Sequence, residues 1–509
     1  MKTKAILISL LTLGLVSCNG YFSDMKVRDE YHPDIEAVMG DINQYPSLIA
    51  GAYANLWDYM LNYESETWGL ATEADQYAAG AGNWNLRNFM YYDKYEKAEI
   101  NNTDASSSFP KDIWYDYYSV ISTVTNMLRT MKADETMVYK EAGEDVTYKV
   151  LANNYFLLGM AYTELALLFD KCLAITEDTD LGNVSAEDFK PASEIQTLAL
   201  SYLDKCIELC KAHTFDNFAG VFPGGSVANN NKLMRMANFM AARVLAYFPR
   251  TNKETVDWSK VLGYINTGLD QDVFSTQPDE TTYDAWSLAV AGHRNSQWVR
   301  INLRIIKMMA PNDPNVKWPM PQGWDYSKEG DIPDVTTDDK RVKSYFIYTT
   351  NPQAPIGTSY GTWEYYSPYL LSEKYNASGN PDGKGKIYLF MKSESDLIRA
   401  EALAQTGKLS DAATIVNQTR VTNGGLTDIT ASSSKDAILR AIYYERFVEC
   451  DFAYHITPFY DRRRTPIDEF QITTQSFRQL PVPMVELEFY GMESYTFGGP
   501  RDAYPQYKF

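Results

Sequence analysis

The segment Asp75 to Arg87, DQYAAGAGNWNLR, sets one flat aromatic, Trp84, between two amides, Asn83 and Asn85, with the Tyr77 ring and the Arg87 guanidinium close by in sequence. A sugar ring has an apolar C–H face and a hydroxyl edge, so a surface that recognises it needs an exposed aromatic beside amide, carboxylate or guanidinium groups. Gly80 and Gly82 predict a loop here, with Trp84 as its stacking platform. A second store of aromatics comprises Trp286, Trp298, Trp318, Trp324, Tyr326, Trp363 and Tyr365. Trp318, Trp324 and Trp363 are the candidates among them, because proline and glycine flank the first two and a glycine-rich turn precedes the third.

Catalytic constellations are weaker. Gly357-Thr358-Ser359-Tyr360-Gly361 has the spacing of a hydrolase nucleophile elbow, but Pro352, Pro355 and Pro368 interrupt the strand and helix that an elbow requires. Glu64, Glu66, Glu73 and Asp75 could supply a glycosidase carboxylate pair; in so acidic a chain they read as a solvated acidic stretch. The histidines His32, His213, His293 and His455 are scattered singly, and Cys172, Cys206, Cys210 and Cys450 lack paired-ligand spacing. Cys206 and Cys210 fall one helical turn apart and are expected to be small buried hydrophobes. No catalytic group, metal or cofactor is expected.

The first residues carry a different chemistry. Lys2 and Lys4 precede an apolar run, Ala5 to Val16, that is too short to remain as a membrane anchor, and Leu15-Val16-Ser17-Cys18 follows. The pattern resembles a bacterial lipobox, so residues 1–17 are expected to be a signal peptide and Cys18 the lipidated N-terminus. Loss of Lys2 and Lys4 takes the formal charge from -19 to -21, which argues against a nucleic-acid partner. No other apolar run is long enough to span a bilayer.

These groups must be held by helices. Ile49, Tyr53, Leu56, Met60 and Tyr63 fall on one helical face, as do Ile113, Tyr117, Val120, Val124, Met127 and Met131. Leu151, Tyr155, Leu158, Tyr162, Leu165 and Phe169 repeat the pattern, followed by stripes at Leu233 to Tyr247 and Trp258 to Leu269. The stretches 148–169 with 193–211, and 232–248 with 256–269, predict antiparallel helical pairs. A third pair turns at Gly407, where Ala400, Ala402, Ala404 and Ala412 allow close packing; it resembles a tetratricopeptide repeat. Residues 275–385 differ, with ten of the 22 prolines and five of the ten tryptophans and no sustained helical period. They predict loops and short strands, the best strand being Arg341 to Thr349. The expected class is therefore mainly α, with tetratricopeptide-like pairs and an inserted irregular lobe. Its regions would be 18–274, 275–385 and 386–509.

Met391 to Leu426, MKSESDLIRAEALAQTGKLSDAATIVNQTRVTNGGL, resembles the C-terminal signature of the SusD/RagB family, with Arg399, Glu401, Ala402, Gly407, Ala412, Asn417, Arg420, Gly425 and Leu426 in the matching places. Tyr444-Glu445-Arg446, Phe459 to Arg463 and Leu480 to Glu486 are similar to the motifs that follow it in that family, and Ile113-Trp114 with Tyr118 and Asn126 is similar to its early helix. The segment Cys450 to His455 departs from the family pattern, as does the missing Leu after Asp461. The resemblance implies a non-catalytic surface lipoprotein of Bacteroidetes, anchored in the outer membrane by lipid alone. It would capture a nutrient, usually a polysaccharide or oligosaccharide, for a SusC-like TonB-dependent transporter. Some relatives in the family resemble peptide importers, so a peptide ligand is the alternative.

Overall fold

Ile49, Tyr53, Leu56 and Met60 are buried along one side of helix α1 (Tyr45–Leu61) in a computed structural model of the chain. The structure describes residues 38–61, 66–79, 89, 108–277, 299–316, 318, 333–348, 369–371, 385–450, 457–473 and 476–495. Helix α2 (Glu66–Glu73) leads into strand β1 (Tyr77–Ala79), and the stripe from Ile113 to Met127 forms the buried side of α3 (Ser108–Ala133). An exposed hairpin of β2 (Lys140–Glu141) and β3 (Glu144–Asp145) turns at Ala142 and Gly143, both at positive φ, and feeds α4 (Thr147–Leu168).

Helix α4 is the centre of the scaffold. Beyond its apolar stripe it also buries Asn153, Asn154, Thr163 and Glu164, so other elements cover it on every side. Strands β4 (Lys171–Leu173) and β5 (Phe189–Pro191) pair, and α5 (Ala192–Ala212) then packs back along α4. Gly159 sets that approach, since a Cβ there would lie 2.6 Å from Leu203 Cγ. Helices α6 (Asn230–Ala246) and α7 (Trp258–Ile265) add the next pair, α6 lying against α5. The four cysteines Cys172, Cys206, Cys210 and Cys450 are buried thiols outside any disulfide, placed as small apolar residues would be.

The prolines and tryptophans of the middle third are strung between short elements: β6 (Val273–Gln277), β7 (Val299–Ile301), α8 (Leu303–Met309), the single turn α9 (Arg341–Ser344), β8 (Phe346–Tyr348) and β9 (Tyr369–Leu371). The strand expected over Arg341 to Thr349 is thus half right. Its first half is helical because the Asp339 carboxylate accepts the Arg341 backbone N–H at 3.0 Å and draws the Arg341 side chain inward. Strand β10 (Gly385–Phe390) pairs antiparallel with β6, Gly385 opposite Gln277, so the chain leaves and re-enters the helical scaffold at one place.

The C-terminal helices are α10 (Lys392–Gln405), α11 (Leu409–Arg420), α12 (Lys435–Glu445), α13 (Thr457–Arg464) and α14 (Met484–Phe489), with a π-helical turn, Arg446–Cys450, continuing α12. Gly407 at φ 85 ends α10; its N–H reaches Ala404 O and that of Lys408 reaches Leu403 O, the paired bonds of a Schellman cap. The fold is mainly α, built from helical pairs as the periodicity predicted.

Buried charges join the C-terminal helices to the first ones. Arg243 on α6 lies 2.8 Å from Glu164 on α4 and 3.1 Å from Glu394 on α10, while Tyr460 on α13 donates to Glu164 at 2.7 Å. Arg446 and Arg464 share the Glu401 carboxylate at 2.6 and 2.8 Å. Burial alone would raise the Glu401 carboxyl, yet these two guanidiniums outweigh it and hold it at about 2. Arg463 donates to Leu167 O and Tyr247 O, at the carbonyl ends of α4 and α6. One hydrophobic cluster, from Ile42 to Leu487, runs through all of these elements. None of the described helices is long and apolar enough to cross a membrane.

Candidate ligand-binding site

The root of the segment that carries Trp84 is a braced stretch of buried polar residues, Thr72, Glu73, Asp75 and Gln76. Asp75 adopts φ 57, a left-handed conformation rare outside glycine, and turns the end of α2 into β1. Its carboxylate is buried and lies 3.1 Å from Arg304 Nη1 on α8. Glu73 accepts the Phe477 backbone N–H at 3.1 Å. Gln76 receives Arg462 Nη2 on its side-chain oxygen at 2.6 Å and the Asn302 backbone N–H on its carbonyl at 3.0 Å. The solvated acidic stretch expected here is therefore corrected at Glu73 and Asp75. Both carboxylates are buried and engaged, Glu73 with the Phe477 backbone N–H and Asp75 with the Arg304 guanidinium, as desolvated anions require.

Strand β1 then pairs antiparallel with β7, Tyr77 opposite Ile301 and Ala79 opposite Val299. Strand β9 lies against β7 and pairs with β8, Tyr348 opposite Tyr369. Three tryptophan-bearing segments are consequently joined to neighbouring strands of one small group: 80–88 with Trp84 at the end of β1, 278–298 with Trp286 and Trp298 at the start of β7, and 349–368 with Trp363 between β8 and β9. The first of them is fixed at its far end too. Phe89 is buried against Phe109, ring centroids 4.6 Å apart, and Gly69 leaves room for the Phe109 ring, which a Cβ would meet at 2.4 Å.

The candidate residues divide in three. Tyr77 is only 4% exposed; as a strand residue facing the core it is a packing residue, which corrects its expected place on a displayed loop. Trp318 is half-buried and packs on the core beside buried Val316. Trp84, Asn83, Asn85, Arg87, Trp324, Trp363 and Cys18 lie outside the described residues, as does the segment Gly357 to Gly361. The framework residues Asn302, Arg304 and Arg462 had no signal in the sequence pattern, since the groups they hold are far away along the chain.

The architecture is that of the SusD-like proteins. A SusD-like protein from Bacteroides fragilis superposes with a TM-score of 0.62 over 92% of this chain and 98% of its own, at 15% identity. A laminarin binding SusD-like protein gives 0.56 over 89% and 99%, at 16% identity. Surface glycan-binding protein A from Bacteroides uniformis gives 0.53 over 90% and 99%, also at 16%. At these identities the likeness defines the fold. No family model and none of the curated proteins matches the sequence.

Proposed function

We propose that this chain is a glycan-binding lipoprotein of the outer membrane, tethered through Cys18, that passes its ligand to a SusC-like TonB-dependent transporter. The observation that carries the reading is the attachment of three tryptophan-bearing segments to one braced group of strands on a SusD-like scaffold. Segments that carry flat aromatics and amides, attached to neighbouring strands, supply the residue types that suit the C–H faces and hydroxyls of sugar units. Two of the similar structures bear names that state glycan binding, one of them laminarin binding. The lipobox before Cys18 supports the anchor, and the strong negative charge argues against a polyanionic ligand.

Affinity electrophoresis of the mature protein through gels containing single polysaccharides tests the binding. Retention by at least one glycan, without time-dependent release of oligosaccharide, is the expected result; release of product would replace binding by hydrolysis. For the partner, a tagged copy should co-purify with a TonB-dependent transporter encoded beside it. For the anchor, Cys18→Ala should release the protein from the membrane fraction.

A further inference from the structure

A cleft of about 770 Å³ opens between the end of α8 and the helices α11 and α12. Its volume falls in the range of small-molecule and peptide sites. The floor is apolar, made by Met309, Ala441 and Phe470, and Met308, Leu426 and Ile429 line its sides. The walls are held in place independently of any ligand. Thr337 Oγ1 donates to Met309 O, Tyr444 OH donates to Asp339 at 2.7 Å, and Lys340 N donates to Gly424 O at 2.9 Å.

The two lips differ in charge. On one, the Asn312 amide and the Asp338 carboxylate are exposed and have no hydrogen-bond partner among the described residues. On the other stand the guanidiniums of Arg420, half-buried, bonded through Nε to Thr427 O and 3.9 Å from the buried Glu445 carboxylate, and Arg440, exposed and paired among the described residues with the exposed Glu469. A surface pair of this kind is weak and opens at little cost. The aromatic rings present are already engaged: Phe470 is 2% exposed, and the Arg341 guanidinium sits 5.6 Å from the Tyr444 ring centroid. The cleft therefore presents aliphatic surface between an accepting lip and a donating lip, with no broad aromatic shelf among its described lining residues.

We propose that this cleft is a second ligand site and that it takes a short peptide with aliphatic side chains. The side chains would lie on Met308, Leu426 and Ile429. The peptide's N–H groups or terminal ammonium would face Asp338 and Asn312, and its carbonyls or terminal carboxylate would face Arg420 and Arg440. Methionine in two of the wall positions suits side chains of varied shape.

The test is titration calorimetry of the mature protein with a synthetic tetrapeptide that has two central leucines and free termini, against the same peptide with central serines. Saturable binding of the leucine peptide, at least tenfold tighter than the serine peptide, is expected. Ala437→Trp fills the cleft from a half-exposed position on α12, and Asp338→Lys inverts one lip; each should weaken the leucine peptide at least tenfold while leaving polysaccharide retention unchanged. Equal binding of both peptides, no saturable binding at millimolar concentration, or unaltered affinity in both variants with normal folding by circular dichroism would overturn the proposal. So would loss of polysaccharide retention in Ala437→Trp, which would make the cleft part of the glycan surface. The peptide result is independent of the glycan result, so either reading can fail alone.

Discussion

Arg304 Nη1 lies 3.1 Å from Asp75 Oδ2, both side chains are buried, and the pair locks the root of β1 to the start of α8 across 229 positions of sequence. The contact does in the N-terminal half what Arg446 and Arg464 do around Glu401 in the C-terminal half: it gives a desolvated carboxylate a fixed guanidinium. The segment carrying Trp84 starts a few residues from it.

Removing one partner of such a pair strands the other in a medium that cannot solvate it. Arg304→Met should destabilise the protein by about 3–5 kcal/mol in urea unfolding. Combining it with Asp75→Asn removes the stranded charge while keeping a residue that tolerates φ 57, so the double variant should recover part of the loss. A single variant within about 1 kcal/mol of the parent would show that the pair does not brace the site.

How far the sequence reveals this structure can be judged from α4. Leu151, Tyr155, Leu158, Tyr162 and Leu165 announce the helix by their spacing, because periodicity reports which face avoids water. The same pattern conceals that Glu164 is buried as well, since its partners, Arg243 and Tyr460, stand 79 and 296 positions away and no local rule links them. Glu73 and Asp75 mislead for the same reason: acidic residues in a row read as solvated until Arg304 and the Phe477 N–H are brought to them. The Trp84 segment was legible in its residue types. Its neighbours were not, because the pairing of Tyr77 with Ile301 joins distant strands of only three residues each.

Two glycines should respond in opposite directions. Gly159→Ala places a methyl 2.6 Å from Leu203 Cγ and 3.1 Å from Leu203 N, so overpacking of about 1–3 kcal/mol should exceed the gain in helix propensity of about 1 kcal/mol. Gly51→Ala meets nothing within 4 Å on α1 and should stabilise by about 0.5–1 kcal/mol. Thermal and urea unfolding of both variants, side by side, check the sign of each.

Asp116 on α3 should make stability depend on pH near neutrality. Burial, then the neighbouring charges of Asp112 and Asp58, push its carboxyl up to about 7. Because the folded value exceeds the usual 3.8, the folded state holds the proton more tightly. The contribution is full below the unfolded value and is lost as pH rises through about 7. Asp116→Asn, which cannot ionise, should therefore gain on the parent as pH is raised, with the difference in urea midpoint levelling off above that point. A difference that stays flat across the range would place the carboxyl at its ordinary value.

If Trp84 is the stacking platform for a glycan, truncating its ring should weaken binding without altering the fold. The most direct test is affinity electrophoresis of the parent and Trp84→Ala proteins in gels containing a polysaccharide that retards the parent. The variant should keep the parental unfolding midpoint yet lose about 1 kcal/mol or more of binding free energy, as expected when a stacked aromatic is truncated. Equal retardation of the two proteins at every polysaccharide concentration would contradict that role.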